Sequence, residues 1–320
     1  MTYRKDVEEQ LNSRFKMLHK DTPEQAEAVR FSTNDMKTKL GPNNPLADFL
    51  IPKFAVGCRR PTPGNGYLES LTKENVRVVT DEISEIVPEG IVLATGEVLK
   101  VDALICATGF DLSFCPRFPI IGRNGANLAE QWKDRATAYL SVAPENMPNY
   151  FSEQNSPPLS IPNVSIPIVL TFIVFMGPNS PVGHGSAIPI AEHVTKYILK
   201  MIYKCQMESV KSFCPRPEAI KEFTLHADVF LTRTAWATKC RSWFKNGKID
   251  GPVSALHPGS RIHWFHTMTN PRYEDWEWRS INPLNRFAYL GNGFSVREGK
   301  GRDLTWYFDN PDEGYEGFVY

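Results

Sequence analysis

The chain has 320 residues, 42% of them hydrophobic, and its 36 basic and 36 acidic side chains cancel. This composition excludes disorder for the bulk and suits one large or two ordinary folded domains. With no net field to draw a polyanion, nucleic acid loses its usual electrostatic footprint, and a small-molecule ligand is the expectation.

The first fifty residues are polar with helical patterning, and Thr22-Pro23-Glu24-Gln25 supplies an N-cap, a first-turn proline and a capping-box partner. From Pro52 to Gly66 the glycines, prolines and the Arg59-Arg60 pair read as a solvent- or ligand-facing loop. Strand spacing follows at Val76–Thr80, Ile83–Ile86, Ile91–Leu93 and Glu97–Leu99, the pattern of a meander. Val101–Ala107 is almost continuously apolar, which predicts a strand covered on both faces in a parallel sheet at the centre of the domain. The run Ile166–Met176 is shorter than the ~20 residues of a membrane helix, so a buried element is expected and no membrane span. Gly177–Ser186 is a glycine- and proline-rich loop feeding a helix through Lys204, in which Ile190, Val194, Ile198 and Met201 recur at helical spacing. Glu218 to about Lys239 reads as a second amphipathic helix, and the stretch to Tyr320 as aromatic-rich short strands and turns without repeats.

The six cysteines, Cys58, Cys106, Cys115, Cys205, Cys214 and Cys240, show no Cys-x-x-Cys spacing, and no secretory leader opens the chain. Reduced thiols in a cytoplasmic protein are therefore expected. His263 and His266 lack the carboxylate spacing of a metalloprotease helix, so packing rather than metal binding is expected there.

Three segments could carry chemistry. Ala107-Thr108-Gly109 sets small residues at a strand end, where a backbone can approach a flat or phosphorylated ligand, although an ordinary turn has the same composition. The loop from Gly177 to Gly185 offers free N–H groups at a helix N-terminus, or is only a turn. Arg59 and Arg60 could serve two anionic centres, or be a solvated basic dipeptide. No Gly-x-Gly-x-x-Gly occurs anywhere in the chain.

Taken in order, Phe54–Gly64, Asp102–Asp111, Met147–Phe151, Gly177–Pro181, Cys240–Phe244 and Pro271–Trp276 resemble the C-terminal part of the flavin-dependent Baeyer–Villiger monooxygenases, and most of all their fungal secondary-metabolism members. The resemblance runs from about residue 45 to 310.

It implies an α/β, partial Rossmann-like fold of the two-dinucleotide-binding-domain flavoprotein kind, without the N-terminal FAD-binding βαβ unit. Residues 1–75 would be a helical segment and the end of the NADPH-binding domain. Residues 76–320 would be the C-terminal part of the FAD-binding domain with an aromatic-rich extension, and 152–174 an insertion foreign to the family, resembling translated intron. It also implies an enzyme that uses FAD, NADPH and O₂ to insert oxygen beside the carbonyl of a small molecule. Arg60 matches the catalytic arginine that stabilises negative charge during oxygen transfer, and Arg59 the residue that recognises the 2′-phosphate of NADPH. Ala107, Thr108 and Gly109 match the strand end that rejoins the FAD domain, and Gly177, Pro178, Asn179 and Ser180 the loop that closes over FAD. The alternatives are a non-catalytic flavoprotein fragment and an N- or S-oxidising flavin monooxygenase.

Overall fold

The computed structural model describes residues 2–62, 64–149, 176–298 and 301–309. The suspected insertion at 152–174 and all of the apolar run except Met176 lie outside the described residues. Among those described, no helix is long and apolar enough to cross a membrane.

Local signals in the sequence place most elements. The first helix, α1, covers Thr2–Ser13, and α2 covers Pro23–Leu40. The Thr22 hydroxyl accepts from the Gln25 amide at 3.2 Å, and Pro23 sits in the first turn, where its missing N–H costs nothing. Two short helices follow, α3 at Leu46–Leu50 and α4 at Tyr67–Ser70. The expected meander is present as β1 (Ile83–Val87), β2 (Gly90–Leu93) and β3 (Val98–Lys100), antiparallel throughout, with Ile86 opposite Ile91 and Ile91 opposite Leu99. After the single-turn α5 (Leu128–Gln131) comes the longest helix, α6 (Ala187–Met207). Ser186 holds its N-cap position in extended backbone but donates no capping oxygen.

The core is built on α6. Ile190, Val194, Tyr197, Ile198, Met201 and Cys205 form one buried stripe on successive turns. Against it pack strand β4 (Val210–Pro215), helix α7 (Pro217–Leu231), helix α8 (Arg261–Thr269) and strand β5 (Trp276–Ser280), together with buried Trp236, Phe244 and Trp264. Strands β4 and β5 pair antiparallel, with Phe213 opposite Trp278 and Pro215 opposite Trp276. This pairing seals the end of the core.

Arg261 joins the outer elements. Its side chain is 0% exposed and its guanidinium donates to Glu8 and Asn12 of α1 and to the Ser186 carbonyl before α6. Gly185, at φ +79°, lies flat against this guanidinium, where a Cβ would collide with it.

Three sequence expectations fail. Val101–Ala107 forms no strand and is exposed throughout, because no described strand lies beside it to pair with its backbone. Val76–Thr80 is likewise irregular: Arg77 pairs with Glu97 through its side chain, but no described strand pairs with its backbone. The second amphipathic helix stops at Leu231, eight residues short of Lys239, because the Thr232 hydroxyl turns back to the Val229 carbonyl and Thr234 adopts extended backbone.

Replacing Arg261 by alanine strands Asn12, the Ser186 carbonyl and the Glu8 carboxylate at a buried junction. Urea unfolding followed by circular dichroism should show a loss of about 3 kcal/mol or more. Glu8→Gln, which keeps an acceptor, should cost clearly less.

Candidate functional site

The loop carrying Arg59 and Arg60 is fixed from three sides. From α2, Gln25 clasps Val56 in both directions, its Oε1 accepting from the Val56 amide and its Nε2 donating to the Val56 carbonyl, each at 3.0 Å. At Gly57, φ is +99° and a Cβ would lie 2.5 Å from the Leu18 side chain, so glycine lets the loop pass over buried Leu18. On the far side, Cys58 is joined to Cys240 by a disulfide. The expectation of reduced thiols is thus wrong for this pair. Spacing along the chain carried no hint of it, because the two residues are 182 positions apart and meet only through the fold. Cys106, Cys115, Cys205 and Cys214 remain free.

Beyond this staple the two arginines diverge. The Arg59 Nε donates to the Arg241 carbonyl at 2.8 Å, and its guanidinium lies over the Phe54 ring, 5.9 Å from the centroid. The Arg60 Nη2 donates to the Val182 carbonyl at 2.7 Å, and its guanidinium lies over Trp243 at 5.9 Å. Both residues are exposed, and among the described residues neither pairs with a carboxylate. Each is a positive charge braced by carbonyls and rings with donors left over, which is the chemistry of an anion site.

Arg60 is thereby brought to the loop before α6. Gly177, Pro178, Asn179 and Ser180 are buried at the root of that loop. Asn179, at φ +60°, donates its amide to the Ser254 carbonyl at 2.8 Å and its Nδ2 to the Leu256 carbonyl at 2.9 Å. The Ser180 amide donates to the Ala255 carbonyl at 3.0 Å and the His257 amide to the Ser180 carbonyl at 2.9 Å, which ties the root to the 254–257 segment. The root is thus anchored in the fold, and the contact of this loop with Arg60 is made by the Val182 carbonyl. Gly183 packs on the Trp236 ring, where a Cβ would be 2.6 Å from the indole. Ala107, Thr108 and Gly109 are exposed, and the structure does not bring them to either arginine.

Sequence reading missed the braces. Trp243 and Cys240 were visible only as part of the resembling segment Cys240–Phe244. Lys245, 2% exposed, donates to the Thr238 and Ile249 carbonyls and closes the turn that presents Cys240 and Trp243. Burial holds its ammonium pKa below the usual range.

Behind the loop lie buried imidazoles. The His257 Nε2 is 3.0 Å from the His263 Nδ1, and burial together with the neighbouring histidines pushes the His257 pKa down to about 3. His184 accepts from the Arg261 amide at 3.3 Å and is pushed down to about 4, first by burial and then by the Arg261 charge. Among the described residues no cluster of metal-ligating side chains occurs.

Comparison with known proteins fits this geometry. The chain is 34% identical over 312 residues to the FAD-binding monooxygenase moxY of Dothistroma septosporum, covering 97% of this chain and 46% of that protein. It is 33% identical to the FAD-binding monooxygenase stcW of Emericella nidulans, covering 94% and 46%. Over nearly its whole length the chain is thus homologous to part of these fungal FAD-binding monooxygenases. It spans about half the length of these relatives, and no family model matches it. Among solved structures it resembles the NADP⁺-bound cyclohexanone monooxygenase of Rhodococcus sp. Phi1, with a TM-score of 0.65 and 23% identity over 82% of this chain and 46% of that one. An oxidised steroid monooxygenase bound to NADP gives a TM-score of 0.63 at 21% identity, with the same coverage. The expected partial flavoprotein α/β fold is borne out at this level.

Titration of accessible thiols in the denatured but unreduced chain should return four, and six after reduction, with the missing pair mapping to peptides of Cys58 and Cys240. Buried neutral imidazoles also fix the sign of the acid response. Between pH 6.5 and about 4 the unfolded chain binds protons at His184 and His257 that the folded chain refuses, so stability falls as pH drops through that window. Lowering the pH from about 6.5 to about 5 should cost roughly 2 kcal/mol per imidazole, read as a falling urea midpoint, and His257→Gln should flatten the slope.

Proposed function

We propose that this chain provides the catalytic-arginine part of a Baeyer–Villiger-type monooxygenase that uses FAD and NADPH, takes up O₂ and inserts one oxygen beside the carbonyl of a small-molecule ketone, in secondary metabolism. The carrying observation is Arg60, an exposed guanidinium with no carboxylate partner among the described residues, held by the Val182 carbonyl and the Trp243 ring beside the loop that opens α6.

FAD and NADPH fit this donor set in part. Two unneutralised guanidinium groups and the uncapped N-terminus of α6 suit anionic and carbonyl-bearing faces of the cofactors. The glycine-rich phosphate cradle of a dinucleotide site is not among these residues. Bound flavin, reduced by NADPH, supplies the oxygen-transfer chemistry.

The chain's own residues supply placement and charge. Arg60 offers its free donors where negative charge grows on the reacting oxygen, and its bond to Val182 fixes it in advance, so that no reorganisation is needed as the charge develops. Trp243 covers one face of the guanidinium and keeps water from that side. Arg59, turned toward Phe54, recognises the 2′-phosphate of NADPH. Val182–Ser186 forms the wall over the flavin, while buried Asn179 and Ser180 anchor that wall. Ala107–Gly109 contributes at the end of the Val101–Ala107 segment once that segment is covered. The proposed setting is the cytoplasm, where the Cys58–Cys240 bond survives because both sulfurs are shielded from thiol reductants.

The test fuses this chain behind the part of the D. septosporum relative that lies outside the match. NADPH-dependent conversion of a cyclic ketone to its lactone is then followed with ¹⁸O₂. Arg60→Ala should lower kcat for oxygen insertion by about 100-fold or more while flavin reduction by NADPH continues. Arg59→Ala should raise KM for NADPH roughly tenfold and leave that for NADH unchanged. Full-speed insertion by the Arg60→Ala protein, or oxidation of amines and sulfides with ketones untouched, would overturn the reading.

A further inference from the structure

The bond between Cys58 and Cys240 joins the turn that carries Arg59 and Arg60 to the turn that carries Trp243. The two Cα atoms are 6.6 Å apart, inside the range a disulfide spans, so the bond needs no movement of either backbone. A reduced pair fits the same place. The Cys58 sulfur lies 3.4 Å from the Thr238 carbonyl and 4.0 Å from the Trp236 carbonyl, acceptors for a thiol proton. Other contacts keep the two turns in register without sulfur: Gln25 holds Val56, and Arg59 donates to the Arg241 carbonyl, one residue past Cys240. Large reagents are shut out, because Cys58 is 0% and Cys240 4% exposed. Each sulfur nevertheless has cations beside it in the chain, Arg59 and Arg60 after Cys58, Lys239 and Arg241 around Cys240, and neighbouring positive charge favours the reactive thiolate. The remaining thiols lack one condition or the other. Burial pushes the Cys205 thiol up to about 12 and raises Cys115 and Cys214 as well, while Cys106 is exposed and unpaired.

We infer that Cys58 and Cys240 form a peroxide-responsive thiol pair, which hydrogen peroxide converts to the disulfide and which thereby locks the arginine loop to the Trp243 turn. Hydrogen peroxide is small enough to enter where glutathione or a protein oxidant is excluded. Cys240 reacts first, as the less covered sulfur, while Cys58 keeps its proton on the carbonyls around it. The Cys240 thiolate attacks one peroxide oxygen, the O–O bond breaks and hydroxide leaves, to be protonated by the proton that Cys240 gave up. The Cys240 sulfur has lost two electrons and stands as a sulfenic acid. Cys58 then attacks that sulfur, the S–O bond breaks, and the departing hydroxide takes the Cys58 proton. Two thiols and one peroxide thus yield one disulfide and two waters. The shielding that admits only a small oxidant also slows reversal by thiols, so the device is set more readily than it is released. The inference rests on the placement of the sulfurs; only its effect on cofactor binding by Arg59 and Arg60 presupposes the proposed function.

The test uses the full chain, reduced with dithiothreitol in urea below its unfolding transition and returned to buffer without oxygen. An equimolar amount of hydrogen peroxide should then remove two of the six thiols, the loss mapping to peptides of Cys58 and Cys240. Millimolar glutathione should fail to restore them in the native chain. Hydrogen exchange at 57–60 and 240–243 should slow by about tenfold or more on oxidation, with the buried stripe of α6 unchanged. In Cys58→Ser, peroxide should stop at a sulfenic acid on Cys240 that dimedone traps, whereas in Cys240→Ser dimedone should not label Cys58. The double serine variant should keep the circular dichroism spectrum of the parent chain and show one exchange pattern with or without peroxide. A reduced chain that does not regain the parent spectrum, peroxide loss confined to Cys106, dimedone on Cys58 in place of Cys240, or equal exchange in the two states would overturn the inference. A full peroxide response in a chain whose fused form inserts no oxygen supports the thiol pair and counts against the proposed activity alone.

Discussion

A guanidinium removed from water must find acceptors for its donors or the fold around it fails, and Arg261 meets that demand by drawing three elements together. Glu8 and Asn12 come from α1, the Ser186 carbonyl from the approach to α6, and the arginine itself from the first turn of α8. Charge burial of this kind adds little net stability, but it penalises every arrangement in which one acceptor is elsewhere. The loop before α6 is therefore held at both ends, by Asn179 and Ser180 at its root and by Arg261 at the helix entrance. Between them, the Val182 carbonyl meets Arg60.

The same logic recurs on the arginine loop with different bonds. Gln25 and the Cys58–Cys240 link fix its backbone, and the Arg241 carbonyl holds the Arg59 side chain, so the loop is ordered before any ligand arrives. Arg60 is held by one neutral carbonyl and one aromatic face, and among the described residues no carboxylate pairs with it.

Much of the fold was legible in the sequence where the signal is local. The Thr22 cap, the last three strands of the meander and the apolar stripe of α6 depend on residues within a few positions of one another, and the structure has these. What escaped was set by partners far along the chain. Nothing near Arg261 announces that Glu8 will meet it, nothing near Cys58 points to Cys240, and β4 needs β5 some sixty residues later to become a strand. Val101–Ala107 shows the converse case: its pattern is that of a covered strand, but the cover is not among the described residues. Arg59 and Arg60 were found because two adjacent guanidinium groups in a rigid loop are unusual, whereas their bracing by Val182 and Trp243 required coordinates.

The covalent link between Cys58 and Cys240 encloses most of the middle of the chain in a ring. The cost of closing a ring grows only with the logarithm of its circumference, so some twenty additional residues on a circuit this large change it by on the order of 0.1 kcal/mol. The stretch between Tyr150 and Met176 lies on that circuit. Its length can drift between family members while the arginine and the tryptophan that faces it stay tethered, because their meeting is secured by sulfur and not by the contour between them.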